Sequence, residues 1–172
     1  MARRRSILFL SGFMGVGKSF YGKKVADQLG IPFYDLDQEI IARAHMSIKD
    51  IFELKGEGYF RKLERDLLLF ILENYSPPFV VSLGGGTLLD ANLAAWLKSQ
   101  GLLICLQRRT LELNASQMNQ RPLSNNFDLY GLYKKRVCGY SSAHACLRLD
   151  LFSEDQRLDR LIKLWKIQVK GV

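Results

Sequence analysis

Gly12-Phe13-Met14-Gly15-Val16-Gly17-Lys18-Ser19 is the stretch that decides the fold. It has the form G-x-x-x-x-G-K-S. Ser6 to Ser11 before it is an apolar run of strand length, and Lys18 to about Leu29 after it reads as a helix that Gly30 stops. A glycine loop between strand and helix cradles phosphate: the backbone wraps the ligand so closely that side chains would collide, and amide hydrogens converge on its oxygens. The helix N-terminus adds unsatisfied amides and the positive end of its dipole. Lys18 would neutralise charge between the β- and γ-phosphates, and Ser19 would offer its hydroxyl to Mg²⁺. Nucleoside triphosphate binding follows from the loop; what receives the phosphate does not.

Pro32 opens a second strand, Phe33 to Leu36. Gln38 to Ala44 and Ile48 to Leu54 read as two short helices, and Phe60 to Tyr75 as a longer one with Leu63, Leu67, Phe70 and Ile71 at helical spacing. Pro77-Pro78 ends that helix, and a third strand, Phe79 to Leu83, runs into Gly84-Gly85-Gly86. Asp90 caps a helix to about Gln100, and Leu102 to Leu106 is a fourth strand. A helix from about Leu111, a polar loop over Asn119 to Asp128, a helix near Leu129 to Tyr140, a fifth strand near Ala145 to Leu149 and a helix from Glu154 to about Val169 complete the pattern. Five strands separated by helices, with no hairpin signal, predict an α/β fold of three layers: a five-stranded, mainly parallel sheet flanked by helices, with ligands at the carboxyl ends of its strands. One domain, residues 1–172, is expected.

Length and composition agree. The 172 residues, 48% hydrophobic and 24% charged, suffice for one core without disulfides or structural metal. The apolar run Leu67 to Leu72 is far short of the roughly 18 residues that cross a bilayer. Arg3-Arg4-Arg5 followed by Ile7 to Leu10 imitates an export signal, but the apolar run stops too soon. Cys105, Cys138 and Cys146 form no C-x-x-C pair and read as thiols of a reducing cytoplasm. Lys+Arg 25 against Asp+Glu 17 leaves +8, which invites a nucleic-acid reading. The cations are scattered, however, with no aromatic ladder to stack bases, and solvated faces plus a local anion site explain them more simply. The expectation is a cytoplasmic monomer whose partner is a small molecule, not a nucleic acid or a membrane.

Several residues beside the loop carry chemistry. Asp35 and Asp37 end the second strand, and strand alternation would bring both carboxylates out on one side, for Mg²⁺ or for a substrate hydroxyl that must lose its proton. The alternative is that one of them caps the next helix. Arg61 and Glu64 are helical neighbours, which by spacing alone also describes a surface ion pair. Gly84-Gly85-Gly86 is a second bare turn where a ligand can approach the backbone. Ser82 stands where many nucleotide hydrolases place an acidic residue, which disfavours a motor or switch ATPase. Arg121-Pro122-Leu123 puts a cation on a stiffened segment of the polar loop, as a closing lid needs. Arg136 follows on the next helix.

In their order and spacing, the loop Gly12 to Ser19, the pair Asp35 and Asp37, the run Gly56-Glu57 with Phe60-Arg61 and Glu64, the triple glycine, Arg121-Pro122-Leu123 and Arg136 closely resemble the shikimate kinase family, in the P-loop group of small-molecule and nucleoside monophosphate kinases. The resemblance spans nearly the whole chain. It implies a P-loop sheet with a substrate-binding helical region, about 37–64, and a lid, about 119–128. It also implies transfer of the ATP γ-phosphate, with Mg²⁺, to the 3-hydroxyl of shikimate on the route to chorismate and aromatic amino acids. Carried over by position, Asp37, Arg61, Gly84, Gly85, Gly86 and Arg136 would hold shikimate, and Ser19 and Asp35 would serve Mg²⁺. Gly12, Gly15, Val16, Gly17, Lys18, Ser19 and Phe20 would bind ATP, with Arg121 descending from the lid. Asp37, Lys18 and Arg121 would carry the transfer. Phe20, Asn114 and Ser124 depart from the family's usual threonine, adenine-stacking arginine and leucine.

Two rival readings stay open on sequence. A related sugar-acid kinase such as gluconate kinase shares loop and fold, although the trio Asp37, Arg61 and Arg136 counts against it. A noncatalytic nucleotide- or nucleic-acid-binding module would use the net positive charge instead.

Overall fold

The structure, a computed structural model, describes residues 6–108 and 129–170. The expected helix from about Leu111, the polar loop, Arg121, Asn114 and Ser124 lie outside the described residues. The chain order is β1 (Ile7–Gly12), α1 (Lys18–Leu29), β2 (Phe33–Asp35), α2 (Leu36–Ala44), α3 (Ile48–Asn74), β3 (Phe79–Ser82), a 3₁₀ turn at Thr87–Leu89, α4 (Ala91–Gln100), β4 (Leu102–Gln107), α5 (Leu129–Tyr140), β5 (Ala145–Arg148), a 3₁₀ turn at Leu149–Leu151, and α6 (Glu154–Lys170).

All five strands are parallel, in the order β2-β3-β1-β4-β5. Every residue of β1 is buried, as a central parallel strand covered on both faces requires. Its alternation divides the core. Ile7 and Phe9 pack with residues of α2, α3, α4 and Tyr140, whereas Leu8 and Leu10 pack with Val25 of α1 and Leu161 of α6. Because β3 and β4 flank β1 on opposite sides, the chain changes direction across the sheet at the carboxyl end of β1. That crevice is where an open α/β sheet binds ligand.

Two expectations need correction. Ile48 to Leu54 and Phe60 to Tyr75 are not separate helices but one run, α3, bent at Gly56, whose φ of 82° and ψ of 168° only glycine adopts readily. On its later half Leu67 and Ile71 are buried, but Phe70 is 38% exposed and lies under the guanidinium of Arg43. The second correction concerns Asp35 and Asp37. Leu36 already belongs to α2, so strand alternation does not place Asp37. Asp35 is the N-cap, its Oδ1 accepting from the N–H groups of Asp37 (3.1 Å) and Gln38 (3.3 Å), and Asp37 sits in the first helical turn.

Candidate functional site

A cavity of about 470 Å³ opens at the carboxyl edge of the sheet, within the usual range for small-molecule sites. Its lining includes Lys18 and Ser19 from α1, Asp37 from α2, Arg61 from α3, the whole turn Gly84-Gly85-Gly86 and Arg136 from α5. These residues are scattered over more than a hundred positions of the chain. Phe20 also lines it, half exposed. Asp35 stands at the end of β2 beside Ser82, and Gly12 and Val16 stand behind the loop, Val16 buried with its N–H bonded to the carbonyl of Phe13 at 3.3 Å.

The loop end suits an anion. Helices α2, α3 and α4 are each capped by a side chain, from Asp35, Ser47 and Asp90. Helix α1 has Gly17 as its N-cap and so no side-chain cap, which leaves its first amides their hydrogen-bonding capacity for a ligand. Gly12 lies so close to β4 that a Cβ there would stand 2.3 Å from the carbonyl oxygen of Leu106. The ammonium of Lys18 is buried and donates to the carbonyls of Gly12 (2.9 Å) and Phe13 (3.2 Å), which holds it over the loop.

At the other end two guanidinium groups converge. Arg61 donates from Nη1 to Glu64 Oε2 at 2.9 Å and from Nη2 to Glu57 Oε1 at 3.0 Å. This is no surface pair: Glu64 is 2% exposed, and its Oε1 accepts from the Thr87 hydroxyl at 2.5 Å. Burial pushes the Glu64 carboxyl above its ordinary value, and Arg61 and Thr87 pull it back. For Arg61 burial acts downward, but the Glu64 charge and its hydrogen bonds prevail and raise it. Arg136 is 8% exposed, has no ion pair among the described residues, and its Nε has no hydrogen-bond partner. Burial lowers the pKa of Arg136; Tyr140 opposes the shift and the nearby Arg61 adds to it. Glu57 and Glu64 act on Arg136 only from a distance, and a buried cation with no ion pair among the described residues is costly, so a bound anion between Arg61 and Arg136 would relieve both desolvation and repulsion.

The triple glycine has a steric reason that spacing did not reveal. A Cβ on Gly84 would lie 2.2 Å from Glu64 Oε1, and one on Gly86 would lie 2.4 Å from Arg61 Nη2. The turn is bare because the Glu64–Arg61 pair runs against it. Sequence reasoning also missed Thr87, which anchors Glu64, and the apolar wall that Ile41, Ile48 and Phe52 form with Phe60, itself quoted only as part of a motif. Aromatic and aliphatic residues on a helix signal core first, so nothing local marked these as cavity lining.

A parallel sheet, a glycine-rich phosphate loop at its carboxyl edge and two arginines facing the same cavity have the form of a P-loop kinase of small molecules. The comparisons give the particular family. The family model described as shikimate kinase matches residues 14–163. The shikimate kinase of Brucella canis is 33% identical over 153 residues, covering 88% of this chain and 76% of that one. Shikimate kinase from Aquifex aeolicus superposes with a TM-score of 0.77 at 31% identity, covering 96% of this chain and 99% of that one. Shikimate kinase from Acinetobacter baumannii, in complex with shikimate, superposes with a TM-score of 0.79 at 26% identity, covering 98% and 96%. The chain belongs to the shikimate kinase family, and is thereby an ATP-dependent kinase of the route to aromatic amino acids.

Proposed function

We propose that this cavity binds shikimate by its carboxylate and aims its 3-hydroxyl at the terminal phosphorus of ATP. The observation that carries the reading is the meeting of Lys18, Asp37, Arg61 and Arg136 in one cavity, with Arg136 buried and without an ion pair among the described residues. Arg61 and Arg136 form a two-cation clamp for the acid, each charge-assisted hydrogen bond contributing about 1.5–3 kcal/mol. Gly84, Gly85 and Gly86 bring backbone close to the ring. Asp37 orients the attacking hydroxyl and takes its proton at a carboxylate oxygen. Gly12, Gly15, Val16, Gly17, Lys18, Ser19 and Phe20 form the nucleotide end, where Lys18 exchanges a loop carbonyl for a phosphate oxygen. Transfer through a loose transition state asks mainly for such positioning and for cations around the moving group.

Ser19 and Asp35 would hold Mg²⁺, whose charge offsets that of the β- and γ-phosphates. Among the described residues no group of three or more His, Cys, Asp or Glu side chains stands ready to hold an ion alone. That donor set fits an ion that arrives with phosphates and retains water. The cap bond of Asp35 uses Oδ1. In the same reading residues 1–172 are one kinase domain and 37–64 the acid-binding region; the lid expected over 119–128, with Arg121, lies outside the described residues. The protein works as a cytoplasmic monomer without nucleic acid or membrane; no helix among the described residues is long and apolar enough to span one.

The test is a coupled assay with ATP, Mg²⁺ and a panel of shikimate, gluconate and nucleoside monophosphates, in which only shikimate should turn over. Asp37→Asn should lower kcat by about 10²–10⁴ while ATP binding persists. Full activity in that variant would remove Asp37 from the mechanism, and turnover of gluconate instead would overturn the substrate.

A further inference from the structure

Helix α5 carries Arg136, but Arg136 does not place itself. The last turn of α5 lies against the chain that leaves the triple glycine. Gly139 is packed so tightly there that a Cβ would stand 2.5 Å from the carbonyl oxygen of Leu88 and 2.9 Å from its carbon. The next residue, Tyr140, is 2% exposed, and its hydroxyl donates to the carbonyl oxygen of Gly85 at 2.9 Å. Arg136 is one helical turn before Tyr140, on the same face, so whatever seats the end of α5 also sets Arg136. The fit at the cavity is close: a Cβ on Gly85 would lie 3.1 Å from Arg136 Nη1.

We propose that Gly139 and Tyr140 are positioning residues for the acid substrate, a seam that holds the helix bearing Arg136 at a set distance from the Gly85 turn. The inference rests on the assignment of the acid clamp to Arg61 and Arg136. Neither Gly139 nor Tyr140 lines the cavity, so neither acts on substrate directly. The small residue permits the backbone approach, and the buried hydroxyl locks it. The Gly85 carbonyl belongs to the rigid peptide unit shared with Gly86, and Gly86 in turn abuts Arg61. Tyr140 thus ties together both sides of the clamp. Burial raises the pKa of the phenol, which keeps the hydroxyl protonated and able to donate throughout the working pH range.

Tyr140→Phe removes the hydroxyl and leaves the ring. Shikimate KM should rise about 3–10-fold, the equivalent of one neutral hydrogen bond, with ATP KM within about twofold of wild type. Gly139→Ala should push α5 off Leu88 and raise shikimate KM by about tenfold or more with the same indifference to ATP. In an Arg136→Ala background Tyr140→Phe should matter less than in wild type, because the two act through one group. A purely structural tyrosine would lower Tm and leave the ratio of the two KM values alone. The inference is overturned if Tyr140→Phe leaves both KM values unchanged, raises them equally, or has its full effect without Arg136. Should Gly139→Ala fail to fold, Tyr140→Phe still decides. Wild type run in parallel separates the two levels. If it turns over shikimate while Tyr140→Phe is unaltered, only the seam fails; if it rejects shikimate, the clamp assignment and the seam both fall.

Discussion

Replacing Gly86 by alanine adds one methyl group at a place where its cost is readable. The backbone of Gly86, with φ −115° and ψ 1°, is open to alanine, so the chain itself bears no strain. The methyl carbon would lie 2.4 Å from Arg61 Nη2 and 3.0 Å from the guanidinium carbon. Ordinary contact begins near 3.4 Å, so the guanidinium must retreat by about 1 Å, and because it ends a long, partly exposed side chain it can do so. Folding should hardly notice, since the Glu57 bond that yields first is exposed and exposed pairs contribute little. The acid clamp should notice. Loss of one charge-assisted hydrogen bond, about 1.5–3 kcal/mol, corresponds to a rise in shikimate KM of about 10–150-fold. The assay is steady-state kinetics with each substrate varied in turn, together with a thermal melt. An unchanged shikimate KM, or equal rises for shikimate and ATP, would refute the argument that the turn is bare in order to seat Arg61.

Gly84→Ala should behave in the opposite way, because its methyl meets not a mobile tip but Glu64 Oε1 at 2.2 Å, on a carboxylate buried and held from both sides. Disrupting a buried pair costs about 3–5 kcal/mol, a fall in Tm of about 6–20 °C for a domain of this size, and a melt within about 2 °C of wild type would contradict it. His144 sets a pH dependence: its Nδ1 accepts from the Leu103 N–H at 3.1 Å, and burial, with Lys98 nearby, lowers its pKa from 6.5. A depressed value in the folded state means the contribution is complete above pH 6.5 and is lost as pH falls through the folded value. The side chain is largely exposed, so the effect is about 0.5 kcal/mol, or about 1–2 °C in Tm, absent from His144→Gln; melts between pH 7.5 and 5 that fall in parallel for both proteins would sink it.

The strand, loop and first helix were legible because their signals are local. An apolar run, glycines and a helical period each need only neighbours in sequence, and α1 ends at Leu29 with Gly30 in the left-handed conformation, as anticipated. Asp35 and Asp37 were found for a reason that the structure replaces: a helix begins at Leu36, two residues earlier than expected, and Asp35 uses an oxygen to cap it. Glu64 was visible as a partner of Arg61 by spacing, but its burial and its bond to Thr87, 23 residues on, were not. The role of Tyr140 was hidden more deeply, since a tyrosine at the end of a helix carries no mark of the carbonyl 55 residues earlier to which it donates.

Residue order alone pointed to a phosphate-cradling loop over Gly12 to Ser19 and to a mainly parallel sheet, because backbone geometry and hydrophobic period are properties of short stretches. Only folding in three dimensions determined which cations share a cavity, which carboxylate is desolvated and why three glycines must stand together. Those depend on distances between segments far apart in the chain, where burial and steric exclusion, not local preference, select the residue.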